Sequence, residues 1–232
     1  MAMLDAAARP MGQRERNKID KLRRIKDAAR ELFIAKGFDD TMTREIAIRA
    51  GVGLGTIFVY AANKRDLLFL IVNDELENIT KEAEASISEQ ASLLENLLDV
   101  SRRHYEFFRR QPALSRLVLR EMVFYDSGEQ ANKFRSTREK VISLIGESVR
   151  FAKQNKTIRT AEDQFAIGWI LFCVYQIEIR NWLSEGNLKL KTGLDRLERF
   201  LQVSLEGVAP KRDSLALQSR RISTHEKSRR EP

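Results

Sequence analysis

The sequence has one cysteine, four prolines and two histidines in 232 residues, and each scarcity removes a class of protein. Cys173 alone builds neither a disulfide framework nor a thiolate zinc site. His104 and His225 are the only imidazoles, and His225 lies in a basic C-terminal stretch. No zinc set, catalytic triad or nucleotide motif is visible, so an enzyme is not expected and no cofactor is implied. Few prolines and few β-branched runs, with many Leu, Ala, Glu, Lys and Arg, favour an all-α chain. Long apolar runs are missing too. The longest, FAIGWILFCVY from Phe165 to Tyr175, is too short to span a bilayer and reads as a buried core helix. No sustained apolar segment precedes Arg9 and Arg14, so a signal peptide is not expected and the chain reads as cytoplasmic, without a membrane partner.

Positive charge is present in excess and unevenly placed. The net charge is +8; residues 1–26 contribute +5 and residues 211–232 contribute +4, which leaves −1 for the 184 residues between. Basic ends on a nearly neutral body suit attraction to a polyanion such as nucleic acid. The C-terminal stretch, 211–232, reads as a basic disordered tail.

Helical spacing begins near Lys18, where Leu22, Ile25, Ala29, Leu32 and Phe33 share a face and Gly37 stops the helix. Thr43 stands before REIAIRA as an N-cap, with Ile46, Ala47 and Ala50 on one side and Gly51 at the end. LGTIFVY makes a short third helix with Leu54, Ile57 and Phe58 available for packing. Asn63 opens a fourth, with Asp66 three residues on in a capping-box arrangement. Short helices joined by a glycine turn form a helix-turn-helix.

Gly51, Gly53 and Gly55 raise the question of a phosphate-binding loop. A dinucleotide fingerprint needs a sixth-position glycine after a strand, but Thr56 stands there and the preceding segment is helical; a Walker loop needs a lysine that is absent between Arg49 and Lys64. The glycines turn the chain and admit close approach of a DNA backbone.

Residues 25–68 resemble the DNA-binding domain of the TetR-type (tetracycline-repressor-like) transcriptional regulators. The features that carry the resemblance are AARELF, KGF, T-REIA--AGV, GT-F-Y and the Asn-Lys before the fourth helix. The resemblance implies an N-terminal helix-turn-helix DNA-binding domain, residues 18–72, preceded by a basic arm, 1–17. A helical-bundle domain for ligand binding and dimerisation, 73–210, follows. It implies phosphate contacts from Thr43, Thr56, Tyr60 and Lys64, backbone approach at Gly55, and base reading by Gly53, Leu54 and Val59. Arg44 is a further candidate reader. Arg14 and Arg16 are placed in the arm, where they would reach an adjacent groove as homeodomain arms do.

The sequence departs from the family pattern at four places. Serine is usual where Gly53 stands, a polar residue is frequent at Leu54, tyrosine is usual at Phe58 and an aromatic at Ala61. Leu54 and Val59 offer base edges apolar contact alone, as with a thymine methyl.

Beyond Asn73, Leu94, Leu97, Ser101, His104 and Phe108 form one stripe; Phe134, Val141, Ile145, Val149 and Ala152 form another. Thr160 and Asp163 form a capping box before a helix with Trp169, Cys173, Gln176 and Arg180. A last stripe runs Leu194, Leu197, Leu201, Leu205, Val208. The resemblance implies a homodimer through the last two helices and a near-palindromic operator released by a small apolar ligand. Ser101, His104, Tyr105, Phe108, Tyr125, Trp169 and Cys173 are the expected ligand-lining residues. A charge-driven architectural DNA-binding protein without a ligand switch is the alternative, distinguished by steep salt dependence and little sequence preference.

Overall fold

The computed structural model describes residues 12–207, and within them the chain forms nine α-helices and no strand. The segment 1–11 of the expected arm, Val208 and the basic tail lie outside the described residues.

Helix α1 spans Gln13–Lys36 and begins five residues before the position suggested by apolar spacing. The extension is polar, and within it Gln13 bonds to Asn17 at 3.2 Å. Arg14 and Arg16 therefore sit in the first turns of a helix and not in an extended arm. Ile25, Ala28, Ala29 and Phe33 form the buried face.

Helix α2 is Thr43–Ala50, but Thr43 is its first helical residue and not its cap. Met42 takes the cap position, and Glu45 Oε2 accepts the Met42 N–H at 3.1 Å, so the Thr43 hydroxyl is not used there. The buried Thr41 donates to the Gly37 carbonyl at 2.6 Å and seals the turn after α1. Gly51, at φ 62°, takes the left-handed conformation that ends α2, and the Arg24 guanidinium donates to the Ala50 carbonyl at 2.9 Å.

Helix α3, Leu54–Tyr60, is seven residues long and buries Ile57 alone, at 1% exposure. Leu54 and Phe58, which the spacing offers for packing, are exposed. A helix of two turns presents little more than one residue to the core, and its remaining apolar side chains face outward.

Helix α4, Lys64–Ser86, starts as expected: the Asn63 side chain accepts the Asp66 N–H at 2.8 Å. It runs unbroken through residues 72 and 73, with a buried face from Leu67 to Ala83. One helix thus belongs to both the helix-turn-helix and the bundle.

The bundle adds α5 (Leu93–Arg110), α6 (Pro112–Glu121), α7 (Glu129–Gln154), α8 (Gln164–Ser184) and α9 (Leu190–Glu206). Ser92 and Glu95 form a reciprocal capping box on α5, and Pro112 occupies the first turn of α6 after the break at Gln111. Asp163 caps α8 by itself; Thr160 accepts from the Glu162 N–H one turn earlier. Arg196 bridges Glu178 and Glu185 and ties α9 to α8. Among the described residues no helix is long and apolar enough to cross a membrane.

Candidate DNA interface and ligand cavity

The α2–α3 unit presents an outer surface of unusual composition. Val59 is 71% exposed, and Met42, Ile48, Leu54 and Phe58 are exposed beside it in sequence. Sequence reading named Leu54 and Val59 as readers, gave Phe58 to packing, and passed over Met42 and Ile48. The signal for Ile48 was present, since Ile46, Ala47 and Ala50 define the buried face and Ile48 falls off it.

Polar groups flank these side chains. Thr43 and Thr56 are half-buried and Arg44 is exposed. None of the three side chains makes a hydrogen bond or ion pair among the described residues, so all are available to an external partner. Tyr60 lies one helical turn after Thr56, and its phenol meets the Lys18 carbonyl at 3.5 Å, the outer limit of a hydrogen bond. Gly53 sits at the α3 N-cap, and a Cβ placed on Gly55 would meet nothing within 4 Å. The protein itself does not require glycine at 55, which leaves the open space for something outside it. Lys64 is used differently: its ammonium donates to the carbonyls of Phe38 at 2.7 Å and Asp39 at 3.0 Å and lies over the Phe38 ring. It braces the α1–α2 connection in this structure.

Behind this face sits a buried carboxylate. Asp66, fully buried in the first turn of α4, accepts the Ala62 N–H at 2.9 Å from the α3–α4 link. It also accepts the Tyr125 hydroxyl at 2.5 Å and the Gln130 N–H at 2.9 Å, at the start of α7. Those contacts answer its charge with three donors and two helix N-termini. A Cβ on Gly128, whose φ is 110°, would stand 2.4 Å from Asp66 Oδ1, so the approach of the α6–α7 loop depends on that glycine. Burial, and after it the hydrogen bond to the Asp66 carboxylate, hold the Tyr125 phenol proton and raise its pKa well above the ordinary value. Phe69, one turn along α4, stacks on Tyr125 with 4.1 Å between ring centres and packs on Phe134 at 4.7 Å.

Phe134 in turn walls a cavity between α4, α5, α6, α7 and α8. Its apolar lining comes from Leu76, Phe108, Leu119, Met122, Phe134 and Phe172; its polar lining comes from His104, Tyr175, Thr137, Arg138 and Gln176. The cavity measures about 40 Å³, room for a few waters. A larger ligand must therefore part the helices.

Two expected lining residues, His104 and Phe108, meet there. His104 is buried, and its Nδ1 lies 2.9 Å from the Val100 carbonyl; burial pushes its pKa down and the carbonyl contact opposes the shift. The imidazole is neutral, its Nδ1–H donating to Val100 and its Nε2 left as an acceptor. The other five residues are elsewhere. Ser101 turns back to the Leu97 carbonyl at 2.7 Å. Tyr105 stacks on Trp182 at 4.6 Å in the fully buried core beside α9. Tyr125 belongs to the Asp66 junction. Trp169 and Cys173, one turn apart, lie on the exposed side of α8, because the inward stripe of that helix runs through Phe172, Tyr175 and Gln176. Sequence periodicity could not choose between these stripes, since α8 is apolar on almost every side.

Residues 25–71 match the family model described as bacterial regulatory proteins, tetR family. The fatty acid metabolism regulator protein of Bacillus subtilis is 32% identical over 90 residues, 39% of this chain and 46% of that protein. The chain thus aligns with less than half the length of that relative. The HTH-type transcriptional repressor KstR of Mycobacterium tuberculosis is 27% identical over 172 residues, 74% of this chain and 73% of the repressor. Among solved structures, the transcriptional regulator FadR of Bacillus subtilis in complex with stearoyl-CoA superposes with a TM-score of 0.64 at 20% identity, covering 81% of this chain and 99% of that one. Residues 25–71, which hold the second half of α1, all of α2 and α3 and the start of α4, are thus similar to the bacterial regulatory proteins of the tetR family.

Proposed function

We propose that this chain is a homodimeric, sequence-specific repressor released from a near-palindromic operator when an apolar ligand enters the α4–α8 cavity. The observation that carries the reading is the continuity of α4. Leu76 lines the cavity on the same helix whose Asp66 holds the Ala62 N–H, two residues after α3 ends. A ligand that spreads the cavity walls acts on Phe134, on the Phe69–Tyr125 stack and on the Asp66 junction in turn. Cavity occupancy and the setting of α3 then share one coupling free energy.

In this reading 18–72 is the DNA-binding domain and 73–210 the ligand and dimerisation domain, with their boundary inside α4. Thr43, Thr56 and Tyr60 hold phosphates; Leu54, Val59 and Arg44 face base edges. Arg14 and Arg16, on α1, contribute positive charge near the duplex. The dimer forms through α8 and α9, where Trp169, Ile170, Cys173 and Ile177 leave an apolar face in water with Phe200 and Val203 beside it. A helix apolar on all sides is stable only when covered, and the same helix pair of a second copy gives a four-helix bundle. Two α3 helices are then held about 34 Å apart, one DNA turn.

The named relatives are a metabolism regulator and a repressor, which supports regulation over architecture. The structural relative bound to stearoyl-CoA supports an acyl-chain ligand, and the apolar lining of the cavity suits one. Selection of random duplexes on the full chain at near-physiological salt tests the reading. Enrichment of one near-palindrome, bound by two protomers, is expected. Binding without enrichment that collapses as salt rises would overturn it in favour of the charge-driven alternative.

A further inference from the structure

The cavity's lining is mostly apolar, and its one arginine is unanswered. Arg138, on α7, lines it with its Nε buried and without a partner, and its guanidinium makes no hydrogen bond or ion pair among the described residues. Arg180, on α8, has no carboxylate either. It donates to Gln176 Oε1 at 2.9 Å and lies 3.2 Å from Met122 Sδ, and Gln176 and Met122 are both cavity residues. On the far side of Leu119 a groove is lined by Arg116 and Arg180; Arg116 donates to the Leu183 carbonyl at 2.7 Å and likewise has no acid.

Several other partly buried arginines are paired with acids. Arg103 meets Asp99 and Glu82, and Arg196 meets Glu178 and Glu185. A half-buried guanidinium without an acceptor loses hydration and recovers little, whereas a carboxylate or phosphate restores two charge-assisted hydrogen bonds in fork geometry.

We propose that Arg138 and Arg180 hold the anionic head group of an amphiphile whose apolar chain occupies the cavity, so that the ligand is selected by charge as well as by chain. This rests on the ligand-switch reading above. The head group is an acid oxygen set, whether a fatty carboxylate or the phosphates of an acyl thioester. A neutral alcohol of equal chain length leaves Arg138 without an acceptor and Arg180 with the neutral groups of Gln176 and Met122.

The test compares palmitate, palmitoyl-CoA and hexadecanol, each below its aggregation limit, by direct binding to the full-length protein and by release of the selected duplex. Wild type is expected to bind at least one anion about 10–100-fold more tightly than hexadecanol, the range for a charge-assisted hydrogen bond. Arg138→Met should remove most of that preference by weakening the anions far more than hexadecanol, with unchanged helix content and thermal unfolding as the check on the fold. Arg138→Lys should restore part of it, and Arg180→Met should narrow the gap. A preference for palmitate places a carboxylate at the arginines; a preference confined to palmitoyl-CoA places phosphates there. Equal binding of anions and alcohol by wild type, or equal loss of all three in Arg138→Met, would overturn the head-group assignment alone. Failure of every amphiphile to bind or release the duplex would overturn the ligand-switch reading together with it.

Discussion

A leucine and a valine stand where a DNA-reading helix commonly offers hydrogen bonds, and their exposure makes a sharp prediction. In the proposed docking, Leu54 and Val59, both exposed, would gain in the major groove by covering thymine methyls. Replacing thymine by uracil at contacted positions of the selected duplex should weaken binding about fourfold per methyl, from the ~0.8 kcal/mol of one buried carbon. Binding curves on the paired duplexes check this. If Thr56 and Tyr60 hold phosphates as proposed, Thr56→Ala and Tyr60→Phe should each cost about 0.5–1.5 kcal/mol on every duplex alike, without changing sequence preference. Gly55→Ala, inside α3 and with its Cβ meeting nothing in the protein, should hold or slightly raise thermal stability and weaken DNA binding measurably. These residues were legible because the helix-turn-helix is local: its spacing, its glycine turn and its exposed side lie within a few tens of residues. Thr43 and Leu54 nonetheless came out differently in local role, the first because Met42 and Glu45 took the cap, the second because a two-turn helix buried Ile57 alone.

At the scale of elements, α4 was legible at its start and not in its consequence. Asn63 and Asp66 announced a cap, but the partners of the Asp66 carboxylate, Tyr125 and Gln130, lie about sixty residues away, where no local pattern points to them. Asp66→Asn keeps the shape and presents an amide to a set of three donors. It should lower stability by about 1–3 kcal/mol and reduce the effect of ligand on DNA affinity. Gly128→Ala puts a methyl against the same carboxylate at a left-handed φ, and the same two losses are expected from chemical denaturation and DNA binding with and without ligand. His104 gives a pH signature. Its folded pKa is depressed by burial, so below the ordinary value near ~6.5 the unfolded chain takes up a proton that the folded chain refuses. Stability should therefore fall as pH drops through that value, and His104→Leu should flatten this part of the profile. A profile unchanged by the substitution would remove His104 as its cause.

For the whole molecule, the all-helical architecture was legible from composition and stripes, whereas the inside and outside of α8 were not. A helix with apolar residues on nearly every side gives no phase, and the packing of Phe172 and Tyr175 against α5 and α7 decided it. Trp169 and Cys173 thereby moved from an expected ligand wall to an outer face that needs covering. Ile177→Glu, on that face and 60% exposed in the single chain, should shift the dimer to monomer in sedimentation and abolish tight binding to a two-half-site duplex while leaving helix content intact. In the proposed reading the dimer fixes the separation of two α3 helices, and the cavity acts through α4, which lines it and carries Asp66.

That linkage has one decisive measurement. Titrate the selected duplex into the dimer with and without saturating palmitoyl-CoA, then titrate palmitoyl-CoA with and without saturating duplex. Coupled sites must show equal factors in the two directions, here about 5–150-fold, the span typical of allosteric coupling. Ligand that binds with DNA affinity unchanged would contradict the coupling through α4 and leave the cavity without a role in release.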